Sequence, residues 1–120
     1  MKILEDKSLK TTPIDTLGEF ALIDHLTKDI KLENSSTILG IGDDASVIEK
    51  GDKYSLLSTD LLIEGVHFNL AYSPLMHLGY KAVAVNVSDI CAMNGCAKQI
   101  IVGLAVSNRF TIEALEKLYE

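Results

Sequence analysis

Four acids, Asp43, Asp44, Asp60 and Asp89, stand among Leu, Ile, Val, Ala and Gly, where an ionised side chain needs a partner. Asp43 and Asp44 follow Gly42, Asp60 closes the triplet Ser58-Thr59-Asp60, and Asp89 sits in an apolar run. An unpaired buried carboxylate costs several kcal/mol, so such acids are ion-paired, hydrogen-bonded or metal-bound. Only 11 Lys and Arg face 17 Asp and Glu, and few of those bases lie near these acids. Carboxylate and hydroxyl oxygens are hard ligands, which makes magnesium the best-matched partner.

Each motif also has a plainer reading. Gly-Asp-Asp at a strand exit is a common turn, and Ser-Thr-Asp is a common cap or turn. Taken together they gain weight, because paired hairpin strands would bring Asp43, Asp44, Ser58, Thr59 and Asp60 to one rim. Asn86 and Asp89 fall at i and i+3, on one face of a helix, which a polar stripe or an ion pair with Lys81 or Lys98 would also explain. His67, beside Phe68, reads by itself more often as a packing or surface residue; His25 and His77 carry no assigned role. Cys91 and Cys96 lack the further ligands zinc requires and read as small buried thiols.

The elements that must position these residues follow from periodicity and punctuation. Residues 1–15 are polar, contain Pro13 and read as an arm before a domain spanning 16–120. Thr16-Leu17-Gly18-Glu19 fits a capping box, and Phe20, Ile23, Leu26 and Ile30 continue at helical spacing. Strands are expected over Thr37 to Ile41, Ala45 to Ile48 and Tyr54 to Ser58, with a turn at Glu49-Lys50-Gly51-Asp52, and again, interrupted by Gly65, over Leu61 to Phe68. Ser73-Pro74 opens a long helix that closes on Asn94-Gly95 as a left-handed cap. Gln99 to Val106 is β-prone and apolar enough for a sheet centre, and Thr111 caps a last helix that shows no stop signal, which is read as a partial chain. The order gives an α+β fold with early antiparallel hairpins and a later crossover.

Composition excludes several classes. A net charge of −6 argues against nucleic acid as the main partner. No signal peptide and no span of about 20 apolar residues is visible, so no membrane partner is expected and the cytoplasm is the expected compartment. The acidity also constrains any phosphate ligand: like charges about 5 Å apart at an effective dielectric near 20 repel by roughly 3 kcal/mol. Metal is then close to obligatory for such a ligand.

Gly18-Glu19-Phe20, Gly40-Ile41-Gly42-Asp43-Asp44-Ala45, Ser58-Thr59-Asp60, Gly65-Val66-His67-Phe68 and Lys81-Ala82-Val83-Ala84-Val85-Asn86-Val87-Ser88-Asp89 occur in one order. In this the chain resembles the thiamine-monophosphate kinase family, within the superfamily of aminoimidazole ribonucleotide and selenophosphate synthetases, over roughly residues 16 to 107. The resemblance implies a mixed, mainly antiparallel sheet with helices packed on one face, as in the synthetase N-terminal domain, and ATP-dependent conversion of thiamine monophosphate to thiamine diphosphate. It implies several Mg2+ ions on Asp44, Ser58, Thr59, Asp60 and Asp89, with Thr59 binding through its hydroxyl or backbone oxygen. It implies substrate contact at His67, and supporting roles for Asp43, Gly18 and Glu19 on the nucleotide or metal side. No protein nucleophile or base is expected, since the acceptor phosphate is already an anion. A homodimer, with strands from two copies closing a barrel, is the expected assembly.

Three departures accompany the resemblance. The family's Gly-Gly-Asp motif and its C-terminal domain are not in this sequence, so the piece alone is expected to be inactive. Asn94 replaces a commoner Gly at the helix end, and the polar arm is long. The alternatives are another ATP-dependent synthetase or maturation factor of the superfamily, or a non-catalytic metal-binding and dimerising module.

Overall fold

A computed structural model describes residues 11–120, and residues 1–10 of the expected arm lie outside it. The chain divides between Glu33 and Asn34 into two compact units. In the first, Pro13 opens a 3-10 turn, Ile14–Thr16, closed by the Thr16 N–H donating to the Pro13 carbonyl at 3.1 Å. That turn takes up Thr16, so the expected capping box does not form. Gly18, at φ 71°, becomes the N-cap of α1 (Glu19–Thr27), without a side-chain cap bond. Only glycine enters that backbone region without strain.

The second unit carries a three-stranded antiparallel sheet in the order β1 (Thr37–Leu39), β2 (Ser46–Lys50) and β3 (Lys53–Leu57). The β2–β3 register runs from Ser46 opposite Leu57 to Lys50 opposite Lys53. Glu49 and Lys50 thus extend the strand, and the expected four-residue turn shrinks to Gly51-Asp52, with Gly51 at φ 64°. A two-residue hairpin loop needs such a positive φ to match the strand twist. Ala45, 2 % exposed just before β2, is the buried apolar residue of the described chain.

Helix α2 (Leu75–Ala92) begins after Pro74, one residue later than the Pro-at-first-position reading. It ends as expected: Asn94 sits at φ 56°, and the Gly95 N–H returns to the Ile90 carbonyl at 2.8 Å. Helix α3 (Ile112–Tyr119) is capped by Thr111, whose hydroxyl oxygen accepts from the Ala114 N–H at 3.2 Å. Its own backbone N–H and then the Thr111 hydroxyl hold the Glu113 carboxyl below the usual range. Helices α2 and α3 pack closely at Gly79, where an added Cβ would collide with the Leu118 carbonyl.

Two expected strands do not form. Leu61 to Phe68 is a turn-rich loop with one isolated bridge, Glu64 to Phe68, because its backbone groups close on themselves through Ile63, Gly65 and Phe68. Gln99 to Val106 forms neither strand nor helix, and Ile101 is 94 % exposed. A strand exists only opposite a partner, and none lies beside this segment among the described residues. The three observed strands are all antiparallel, and with the helices they give the expected α+β fold. Cys91 and Cys96 are free and exposed, not the buried thiols expected from composition. Among the described residues no helix is long and apolar enough to cross a membrane.

Candidate functional site: a hairpin rim joined to a helix

The register Ser46 opposite Leu57 decides which residues share an end of the hairpin. Asp44 lies two positions before Ser46 and Ser58 one after Leu57, so the Gly-Asp-Asp and Ser-Thr-Asp segments leave the sheet at the same edge. Ser46 reinforces that edge, its hydroxyl donating to the Leu57 carbonyl at 3.1 Å. Beyond Leu57 the chain crosses to α2. There Ser58 Oγ donates to Asp89 Oδ2 at 2.6 Å, a short charge-assisted bond between half-buried side chains. Two residues on, the Asp60 N–H donates to Asn86 Oδ1 at 3.0 Å.

These contacts settle several open readings. Asp89 faces a hydroxyl and not a base: the Lys81 ammonium donates instead to the His67 carbonyl at 2.8 Å, and no ion pair to Lys98 forms. The ion pair found among the described residues, Lys117–Glu120, lies elsewhere. Asp43 accepts from the Asp44 N–H at 3.0 Å, and Gly42 at φ 123° allows the backbone to bend there, so Gly-Asp-Asp is a turn whatever else it does.

Burial differs from the sequence reading. Asp43, Asp44, Asp60 and Thr59 are exposed, and only Ser58 and Asp89 are half-buried. The rim end leads out of a sheet three strands wide, so its loops are wet. Ser58 and Asp89 touch, and Asp60 is tied one helical turn from Asp89. Asp43 and Asp44 share the edge but make no hydrogen bond to Ser58, Thr59, Asp60 or Asp89 among the described residues. No three His, Cys, Asp or Glu side chains among the described residues converge as a ready-made metal cage. Gly18 and Glu19 belong to the other unit, as the cap and first residue of α1.

A family profile described as "AIR synthase related protein, N-terminal domain" matches residues 42–120, the span that includes both rim segments, the His67 loop and α2. The chain belongs to this family. Within it, the AIR synthase related chain is similar to proteins named thiamine-monophosphate kinase. It is 41% identical over 105 residues to that of Bacillus subtilis, covering 87% of this chain and 32% of the relative. It is 40% identical over 101 residues to that of Mycobacterium tuberculosis, covering 82% and 30%, and 39% identical over 103 residues to that of Aquifex aeolicus, covering 86% and 31%. The chain thus spans about a third of the length of the curated relatives it matches. No solved structure matches it.

His67 of this AIR synthase related domain sits in the loop before α2. Its Nδ1 accepts from the Ile63 N–H at 3.0 Å, and its own N–H donates to the Ile63 carbonyl at 2.9 Å. The loop walls a shallow, open cleft of about 260 Å³ with Tyr72, Pro74, His77 and Lys81. Lys81, His77 and Tyr72 were not separable in the sequence from an ordinary amphipathic helix and its lead-in. Asn86 was visible only as a polar neighbour of Asp89 at helical spacing. Nothing in the sequence alone says that its partner is the Asp60 backbone.

Proposed function

We propose that the complete protein carrying this chain transfers the terminal phosphoryl group of ATP to thiamine monophosphate, giving ADP and thiamine diphosphate. A bond from the terminal phosphorus of ATP to its bridging oxygen breaks, and one to an anionic oxygen of the acceptor forms. The similarity to proteins named thiamine-monophosphate kinase supports the substrates. The 2.6 Å contact of Ser58 with Asp89 is the observation in the fold that carries the site.

In this reading Asp44, Ser58, Thr59, Asp60 and Asp89 hold Mg2+ ions. The donor set is all hard oxygen, which suits the ion, and Mg2+ sites usually take one or two carboxylates, with water and substrate phosphates filling the rest. Bound magnesium supplies charge neutralisation at the transferring phosphate. Asp89 orients the Ser58 hydroxyl by taking its proton in a hydrogen bond, which leaves the Ser58 oxygen lone pairs for a cation. Asp60 and Asp44 face solvent, where an incoming polyphosphate and its cation meet. Asp43 shapes the turn that presents Asp44.

His67 contacts the thiamine monophosphate. Its Nδ1 is taken by the Ile63 N–H, so Nε2 is the ring nitrogen left for the substrate. Lys81 holds the His67 carbonyl and keeps that loop against α2. No side chain need remove a proton, and catalysis rests on position and charge. Gly18 and Glu19 support the nucleotide side. We further read residues 16–120 as the enzyme's N-terminal domain, cytoplasmic and homodimeric, with Gln99 to Val106 completing a sheet with the second copy.

The test is formation of thiamine diphosphate from ATP, Mg2+ and thiamine monophosphate by the full-length protein. Asp60→Asn is expected to lower kcat/KM at least about 100-fold, the usual scale for losing an electrostatic stabiliser. No product from the unsubstituted protein, or an unaltered Asp60→Asn variant, would reject the reading.

A further inference from the structure

We propose that Asn86 is a positioning residue, whose carboxamide fastens the Ser58-Thr59-Asp60 segment to α2 and fixes the separation of Asp60 from Asp89. The fastening stands on geometry alone; its bearing on Mg2+ rests on the kinase reading above.

Asn86 uses both ends of its amide. Oδ1 accepts from the Asp60 N–H at 3.0 Å, and Nδ2 donates to the Ala82 carbonyl, one turn earlier in α2, at 2.9 Å. The Ala82 carbonyl accepts only a donor, so the amide nitrogen must face it and the oxygen must face Asp60. The helix backbone thereby sets the orientation of the side chain, which is half-buried. The need on the other side is equally definite. The β3 ladder ends at Leu57, so the Asp60 N–H has no sheet partner and must find one elsewhere.

The two ties work as a pair. Ser58 is bound to Asp89 and Asp60 to Asn86, so a three-residue segment is held at both ends and runs opposite in direction to the helix. Asn86 and Asp89, three apart, project from one face of α2. Removing the Asn86 tie leaves Ser58 in place and lets Asp60 swing about it. The separation of the two carboxylates, which decides whether they share a cation, is then no longer fixed. Aspartate in place of Asn86 keeps the acceptor and loses the donor; alanine loses both.

Hydrogen–deuterium exchange at single amides of the full-length, metal-free protein tests the fastening, and titration with Mg2+ alone tests its consequence. In the unsubstituted protein the Asp60 amide should exchange about fivefold or more slowly than that of Thr59, the scale of one net hydrogen bond. Asn86→Ala should abolish that difference and weaken Mg2+ binding about three- to tenfold, whereas Asn86→Asp should keep the amide slow. Equal exchange of Asp60 and Thr59 in the unsubstituted protein overturns the proposal without any variant. So does equal acceleration in both variants, or a fast Asp60 amide with unchanged Mg2+ affinity in Asn86→Ala. An unsubstituted protein that bound no Mg2+ would reject the kinase reading instead, while the amide pattern would still decide the fastening.

Discussion

The hairpin rim and the segment Gln99 to Val106 satisfy their needs in opposite ways. The rim is polar and exposed, yet its ties are made inside this chain: Ser58 to Asp89, Asp60 to Asn86, Asn86 to Ala82, Lys81 to His67. The second segment is apolar, with Ile101 94 % and Val102 53 % exposed, and it pairs with nothing among the described residues. Side-chain hydrogen bonds across a short loop are fixed locally, whereas the apolar segment finds no pairing partner among residues 11–120. The rim should therefore respond to changes in its own contacts, and the second segment to changes in what covers it.

The largest effect expected from this contrast is at Gly95. A Cβ there would collide with the Leu56 side chain and press on the Ile90 carbonyl at 2.9 Å, forcing α2 away from β3. Gly95→Val should destabilise the fold by about 2–3 kcal/mol, the upper range for overpacking, read as a lowered urea midpoint. Next comes Ser58→Ala, which removes the donor to a half-buried carboxylate. A loss of about 1–2 kcal/mol is expected, somewhat below the full value of a hydrogen bond to a charge because the pair is only half-buried. An unchanged midpoint in either variant would mean that the rim is not held as described.

The smallest effect sharpens the other side. Ile101→Asp should shift the unfolding midpoint of the monomer by no more than about 0.5 kcal/mol, as for an exposed side chain with no partner. The same change should abolish dimer formation in sedimentation if this strand joins a second copy. A large loss of monomer stability would show that Ile101 is covered within the chain.

The α+β class and the local turns and caps were legible in the sequence, and the long-range pairings were not, for a physical reason. Turn and cap signals are local: Asn94 in the left-handed region, Thr111 as an N-cap and a turn at Gly51-Asp52, two residues shorter than expected, all follow from residue chemistry within a few positions. So does the shared end of the hairpin, since Ser46 and Leu57 flank a tight turn. What was not legible needed distant partners. Leu61 to Phe68 and Gln99 to Val106 have β composition, but composition does not supply a neighbouring strand. The capping box failed because Pro13 claimed Thr16 for a 3-10 turn first. Burial of the acids was overestimated because apolar neighbours in sequence say little about cover in space. Asn86 stayed hidden as a fastener because its partner is a backbone N–H 26 positions away, which carries no residue signature.

In the proposed kinase reading, Asp60 and Asp89 serve one cation site at the hairpin rim. Its most direct test replaces Mg2+ with Mn2+ in the full-length protein and records paramagnetic broadening of individual amide resonances. Ser58, Thr59, Asp60 and Asp89 should broaden together at low Mn2+, ahead of exposed acids such as Glu49 and Asp52. Broadening that reaches Asp60 and Asp89 at different Mn2+ concentrations, or no earlier than Glu49 and Asp52, would contradict it.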